Sequence, residues 1–280
     1  MKVGLYLNTC ARAGVPIMKS FAQGIQETGD RVEFLEDVSE NIDVAVIWSM
    51  LWTNPVRKKI YYSFKRQGTP VIVLEVGGII RNKTWKVALD GINAQAFFNN
   101  STHIPSREQK FDLNLKPWQP ENKNIVICGQ HELSAAWRWG STEEWLGNLI
   151  NEIRNHTNKT IIFRPHPRFS VSLRKKLDCE TQKPVFQGNY DCFDLGETLK
   201  STHLLISYNS NPAIEAVING VPVYTDETSL CYPVSIKNFK YLNNPPQPDR
   251  QKWFKDIIHT EWFEDEIKQG IPYKRLREFL

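Results

Sequence analysis

Ser207, Asn209 and Ser210 lie where an apolar run, Leu204-Leu205-Ile206, breaks into small polar residues ahead of Pro212-Ala213-Ile214-Glu215-Ala216. The order predicts a strand, a tight polar turn and a helix, because proline is tolerated in a first helical turn where its missing N–H costs nothing. Ser210 or Asn211 is expected to cap that turn. Gly220 should end the helix, and Val221-Pro222-Val223-Tyr224 should open the next strand. A strand that feeds a helix N-terminus gathers free N–H groups at the positive dipole end, which suits an anion. Two hydroxyls add donors for a phosphate, and Glu215, one turn inside, is placed to reach sugar hydroxyls. The stretch reads as the seat of a nucleotide phosphate.

A second cluster is Arg164-Pro165-His166-Pro167-Arg168, which follows the apolar run Thr160-Ile161-Ile162-Phe163. Two prolines fix the backbone around His166. An imidazole held between arginines suits phosphate binding or stabilisation of a leaving group. The plainer alternative is a rigid turn carrying a solvated histidine.

Positioning such groups requires strands that end on a common rim. Val3–Leu7, Val32–Phe34, Ile42–Trp48 and Pro70–Leu74 read as strands, and Ile17, Phe21 and Ile25 mark one helix face after Pro16. A second helix carries Arg57, Lys58, Lys59, Tyr61 and Tyr62. Strands alternating with helices predict a parallel, doubly wound sheet, whose ligands sit at the strands' carboxyl ends. That rule puts Asn8–Val15, Trp48–Thr53 and Glu75–Arg81 along one rim.

The proline-bearing polar stretch 112–123 reads as a link, after which the pattern restarts with Asn124–Cys128. Ser141-Thr142-Glu143-Glu144 forms a capping box before Trp145, Leu146, Leu149, Ile150 and Ile153 at helical spacing. Three regions are expected: an α/β domain over 1–118, a second over 119–250, and a helical tail over 251–280 packed back on the body.

The 280 residues, 41% hydrophobic and 24% charged, describe a globular chain with a formal charge of +4. A mild basic excess permits a polyanionic partner without requiring one. No run is long enough to span a bilayer and the start has no signal-peptide layout, so a cytoplasmic location is expected, the host cytoplasm if the chain is viral. Cys10, Cys128, Cys179, Cys192 and Cys231 are scattered and odd in number, which argues for reduced thiols over a disulfide framework or zinc site.

Four motifs, in order, resemble bacterial capsular-polysaccharide (Kdo-type) sugar transferases. They are Leu74-Glu75-Val76-Gly77-Gly78-Ile79-Ile80-Arg81, the loop Gly129-Gln130-His131-Glu132 running on to Arg138-Trp139-Gly140, Phe163-Arg164-Pro165-His166-Pro167, and Ser210 ahead of Glu215-Ala216 with Gly220-Val221-Pro222-Val223. The resemblance implies an α/β chain of the GT-B class, two Rossmann-like domains with parallel sheets facing a central cleft. It also implies a nucleotide-sugar-dependent glycosyltransferase. Donor binding would fall to Gly129, Gln130, Arg164, His166, Ser207, Asn209, Ser210 and Glu215, with His166 and Ser210 on phosphate and Glu215 on the ribose. Arg12 and Arg81 are acceptor-side cations. The family's catalytic Asp is replaced by Val76, and its acidic pair in the glycine–glutamine loop by Leu133-Ser134. Glu75 is therefore the expected base, with Asp90 and Glu132 as reserves. No metal is expected, since no DxD-like pair ends a strand. No cofactor is permanent; a UDP-, CMP- or GDP-linked sugar is the co-substrate.

Two acceptors compete. One is a capsular or surface polysaccharide. The other, placed slightly ahead, is hydroxymethylated pyrimidine in DNA, through a looser resemblance to phage DNA glucosyltransferases and the basic and aromatic residues at 57–66, 81–86 and 137–139. A silent nucleotide-sugar-binding module and an epimerase are further alternatives. Oligomeric state is left open.

Overall fold

A computed structural model describes residues 1–169, 171–183 and 195–280. The chain divides into two compact units, Met1–Asp112 with Lys255–Leu280, and Leu113–Phe254.

The first unit opens with β1 (Lys2–Leu5), α1 (Val15–Gln26), β2 (Arg31–Phe34), β3 (Val44–Trp48), α2 (Pro55–Gln67), β4 (Val71–Val76), β5 (Thr84–Leu89) and α3 (Ser106–Phe111). The second holds β6 (Asn124–Cys128), α4 (Thr142–Arg154), β7 (Thr160–Arg164), β8 (Glu180–Thr181), α5 (Leu195–Leu199), β9 (Thr202–Ser207), α6 (Pro212–Ile218) and β10 (Val223–Thr225). Helix α7 (Gln251–Ile257) leads back to the first unit, which ends with β11 (Glu261–Phe263), α8 (Glu264–Lys268) and α9 (Ile271–Arg277).

In the first unit the sheet runs β11-β5-β4-β3-β1-β2. β1 to β4 are parallel, as the alternation of strands and helices requires, and β5 runs antiparallel to both β4 and β11. The apolar face of α1 (Ile17, Phe21, Ile25) packs with Val3, Leu5, Val46 and Leu74 on one side of the sheet. Ile60, Tyr61 and Phe64 of α2 cover Ile47, Val71 and Val73 on the other. The tail, expected to be helical, also supplies a strand: β11 extends the sheet, while Trp262, Ile267, Tyr273 and Leu276 join the α1 side of the core.

The second sheet, β10-β9-β6-β7-β8, is parallel throughout its named pairs. Ile125, Ile127, Phe163, Leu204 and Ile206 meet Trp145, Leu146, Leu149 and Ile153 of α4. Ser141 caps α4 by accepting from the Glu144 N–H at 3.1 Å. Cys10, Cys128, Cys179 and Cys231 are free thiols, and Cys192 lies outside the described residues. Among the described residues no helix is long and apolar enough to cross a membrane.

One buried side chain makes the first unit acid-sensitive. His259, only 1% exposed, accepts from the Ile104 N–H at Nε2 (2.8 Å) and donates from Nδ1 to the Lys255 carbonyl (2.7 Å). Burial pushes its pKa down from the usual imidazole value to about 4, and the charges of Arg107 and Arg275 push the same way. The unfolded chain takes up this proton near pH 6.5. The native form resists it, so stability is intact above that pH and is lost as pH falls toward 4. The loss amounts to about 3 kcal/mol. Denaturant melts at intervals from pH 7 to pH 4 should show this slope, and His259→Asn should flatten it.

Candidate functional site

In the second unit, three adjacent parallel strands deliver the predicted polar residues to one edge. Cys128 on β6 is in register with Arg164 on β7 and with Ser207 on β9, and Ser207 with Thr225 on β10. Gly129 follows β6, and its N–H donates to the Arg164 carbonyl at 2.8 Å. A Cβ at Gly129 would stand 3.1 Å from the His166 backbone nitrogen and 3.3 Å from the Phe163 ring, so the bare backbone lets the two exit loops lie side by side.

Gln130 ties this edge together. It is buried, donates from Nε2 to Ser134 Oγ (3.2 Å), and accepts from the Asn209 N–H at Oε1 (3.2 Å). Asn209 in turn donates from Nδ2 to Thr228 Oγ1 at 2.9 Å, and Thr228 donates to Asp226. Gln130 and Asn209 thus brace the two loops against each other. His166 accepts from the Arg168 N–H at Nδ1 (3.2 Å), and its ring lies 5.4 Å from that of His131.

Arg164 is buried and donates to Gln182 Oε1 (2.8 Å) and Thr198 Oγ1 (2.9 Å), which holds its guanidinium inside the unit. Its charge and that of Glu215 act on Cys128, whose thiol burial pushes up to about 12, so this thiol is inert at neutral pH. Glu215 is half-buried on α6, within reach of the start of α5 near Gly196. The hydroxyls of Ser207 and Ser210 are buried and have no hydrogen-bond partner among the described residues. Neither Ser210 nor Asn211 caps α6 through its side chain. Asn211 already has helical dihedrals, φ −54° and ψ −29°, a backbone outside the extended geometry usual for a capping side chain.

A groove of about 530 Å³ opens beside Thr160 and Ile161 at the start of β7, the opposite end of that strand from His166.

In the first unit Glu75 stands at the carboxyl end of β4, half-buried. It accepts from Ser49 Oγ at Oε2 and from the Val76 N–H at Oε1 (2.9 Å). Ser49, at φ +69°, leaves β3 in the left-handed region, so the turn is strained where it meets the carboxylate. Arg57 is buried nearby, bound to the carbonyls of Thr9 and Leu51; burial pushes its pKa down, and the Glu75 charge opposes that. Arg12 is exposed in the turn before α1, and Arg81 lies in the loop between β4 and β5.

Both reserve carboxylates have other work. Asp90 follows β5, and because β5 is antiparallel its end returns to the start of β4: Asp90 accepts from the Val71 N–H (3.2 Å) and pairs with Lys65 (2.7 Å). It therefore sits at the edge opposite Glu75. Glu132 accepts from the Thr142 N–H at 2.5 Å and anchors the first turn of α4.

Sequence reasoning missed Glu261. This carboxylate, fully buried on β11, accepts from the N–H groups of Gly78 (2.6 Å) and Ile79 (3.1 Å) and from Thr84 Oγ1 (2.7 Å). It shapes the loop between Glu75 and Arg81.

The clusters that pointed to DNA are divided between the interior and the surface. Arg57, Tyr61 and Lys86 are buried, and the half-buried Trp137 stacks edge-on against Trp145 and Tyr208, at 5.7 and 5.6 Å. Lys58, Lys59, Tyr62, Lys65, Arg66, Lys83, Arg138 and Trp139 are exposed.

No protein-family model matches the chain, and no curated protein is similar to it in sequence. Among solved structures it is similar to the β-Kdo 2,7 transferase of KpsC from Thermosulfurimonas dismutans, at 15% identity and a TM-score of 0.52 over 98% of this chain and 100% of that one. The β-Kdo 2,4 transferase of the same KpsC aligns at 11% identity and a TM-score of 0.47, over 94% and 92% of the two chains. UDP-GlcNAc 2-epimerase from Methanocaldococcus jannaschii, solved with UDP-GlcNAc and UDP, aligns at 11% and 0.33, over 80% and 83%. Two α/β units, each built on a sheet of mainly parallel strands, give this chain the GT-B-like fold of the KpsC 2,7 transferase.

Proposed function

We propose that the chain is a glycosyltransferase that takes a sugar from a nucleotide-linked donor and passes it to a hydroxyl of a surface polysaccharide. The observation that carries this reading is the convergence of Gly129–His131, Arg164–His166 and Ser207–Ser210 on the carboxyl edge of adjacent parallel strands, where α/β sheets bind ligands. His166 and Ser210 would hold the donor phosphate, and Glu215 the ribose. Arg164 would set the local field from within the unit without touching the ligand.

In the reaction, Glu75 accepts the proton of the acceptor hydroxyl. That oxygen bonds to the anomeric carbon as the bond from this carbon to the phosphate oxygen breaks. The nucleotide departs with the bonding electrons, which leave its negative charge on the phosphate oxygens. Ser49 and the Val76 N–H each occupy one acceptor site of Glu75, and every carboxylate oxygen has a further lone pair for the incoming proton.

Against the DNA acceptor, Arg57, Tyr61 and Lys86 are buried and Trp137 is half-buried against Tyr208, so only the exposed remainder of those stretches could meet a phosphate or a base. The shared fold with a Kdo transferase points the same way.

Calorimetric titration with UDP, CMP and GDP tests the donor half of the reading. One nucleotide should bind, and His166→Ala should weaken it about tenfold or more by removing a hydrogen bond to a charged group. No binding by any of the three contradicts the assignment.

A further inference from the structure

We propose that His131 is a second phosphate-binding imidazole, paired with His166 at the edge where β6 and β7 end. This rests on the donor reading above and adds to it a residue that the glycine–glutamine loop contains but to which no role was given.

The loop after β6 holds His131 in a fixed state. Its Nδ1 accepts from the Leu133 N–H at 3.2 Å, so the neutral ring carries its proton on Nε2. His166 is set the same way by the Arg168 N–H, also at 3.2 Å. Two imidazoles therefore stand with rings 5.4 Å apart and inclined at 72°, with the proton of each neutral ring on Nε2. Phe169, with its ring 4.7 Å from that of His131, fixes the plane of the latter.

His131 as a whole is 8% exposed, yet its Nε2 is not among the side-chain atoms sealed from solvent, and among the described residues it has no hydrogen-bond partner. The outer N–H of a ring otherwise held by packing is therefore open to an acceptor from outside the chain. Burial, with the Arg168 charge next, lowers the pKa of the ring and keeps it neutral at pH 7; the Glu132 charge opposes this. A neutral donor beside cations asks for an acceptor that brings its own negative charge. A phosphate does so and offers several oxygens, enough for two imidazoles at once. Gln130, the neighbour of His131, is bonded to the Asn209 backbone, so the pair belongs to the same edge as Ser210.

The test is NMR of the full chain labelled with ¹⁵N-histidine, titrated with UDP, CMP, GDP and inorganic pyrophosphate. The Nε2 resonances of His131 and His166 should shift together and saturate on one binding curve. His131→Phe, which keeps a ring against Phe169, should weaken nucleotide binding about tenfold, and His131→Gln, which retains a donor, should weaken it less. If His166 shifts while His131 does not, and His131→Phe binds as the unaltered chain does, the inference is wrong and the donor site stands. If neither histidine responds to any of the four probes, both fall. Should His131→Phe fail to fold, the titration of the unaltered chain still decides.

Discussion

Glu75→Gln is expected to lower the rate of glycosyl transfer by about 10²–10⁴-fold, the usual share of a positioned general base. Nucleotide binding should be unchanged, because the proposed donor edge is built from the ends of β6, β7 and β9 and Glu75 is not part of it. Gln is close to Glu in shape and still accepts from Ser49 Oγ or the Val76 N–H, so the turn after β3 should keep its geometry. Steady-state transfer and calorimetry on the same preparation separate the two effects. Transfer within a few-fold of the parent would assign the proton to another group. Asp90 and Glu132 are poor replacements, one at the wrong edge and the other anchoring α4.

The second large effect is on stability. Glu261→Ala strips the acceptor from the N–H groups of Gly78 and Ile79, and the Thr84 hydroxyl is left to the Ile80 carbonyl at 3.1 Å. Each buried orphan costs about 1–3 kcal/mol, and water entering the vacated space relieves part of it. A net loss of about 3–5 kcal/mol is expected, read as a drop in the denaturation midpoint of the first unit. Gly77→Ala should act through the same contact from the other side, since its Cβ would fall 2.3 Å from Glu261 Oε2 and 2.5 Å from the Thr84 carbonyl. Both variants should also disturb Arg81, which the loop carries. A Glu261→Ala chain that melts like its parent would mean that the loop is held by other contacts.

What could be read from the sequence were features carried by local pattern. Ile17, Phe21 and Ile25 mark a helix face because they repeat at helical spacing, and they do line the core under α1. Ser141 caps α4 because its hydroxyl is three residues from the amide it serves. The strand, turn and helix around Ser207–Pro212 follow from one apolar run and one proline.

What escaped depends on contacts far apart in sequence. The stretch 81–86 reads as basic and aromatic, whereas its second half opens the inner strand Thr84–Leu89, with Lys86 buried. The direction of that strand, which no local pattern encodes, decides that Asp90 ends up beside Val71. Glu261 lies in a strand of three residues and meets Gly78 across 183 positions, so its charge reads as surface until the sheet is formed. Glu132 is a reserve base by sequence, yet the amide it serves belongs to Thr142, ten positions on.

The most direct test of the central claim is a mass-spectrometric transfer assay with UDP-, CMP- and GDP-linked sugars and a surface-polysaccharide oligosaccharide acceptor. The account predicts that one donor releases its nucleotide in step with a gain of one sugar mass on the oligosaccharide, and that hydroxymethylated DNA in its place gains nothing. Nucleotide that binds but is never released from any donor would contradict it and leave the chain a binding module; a sugar mass on the DNA would overturn the choice of acceptor.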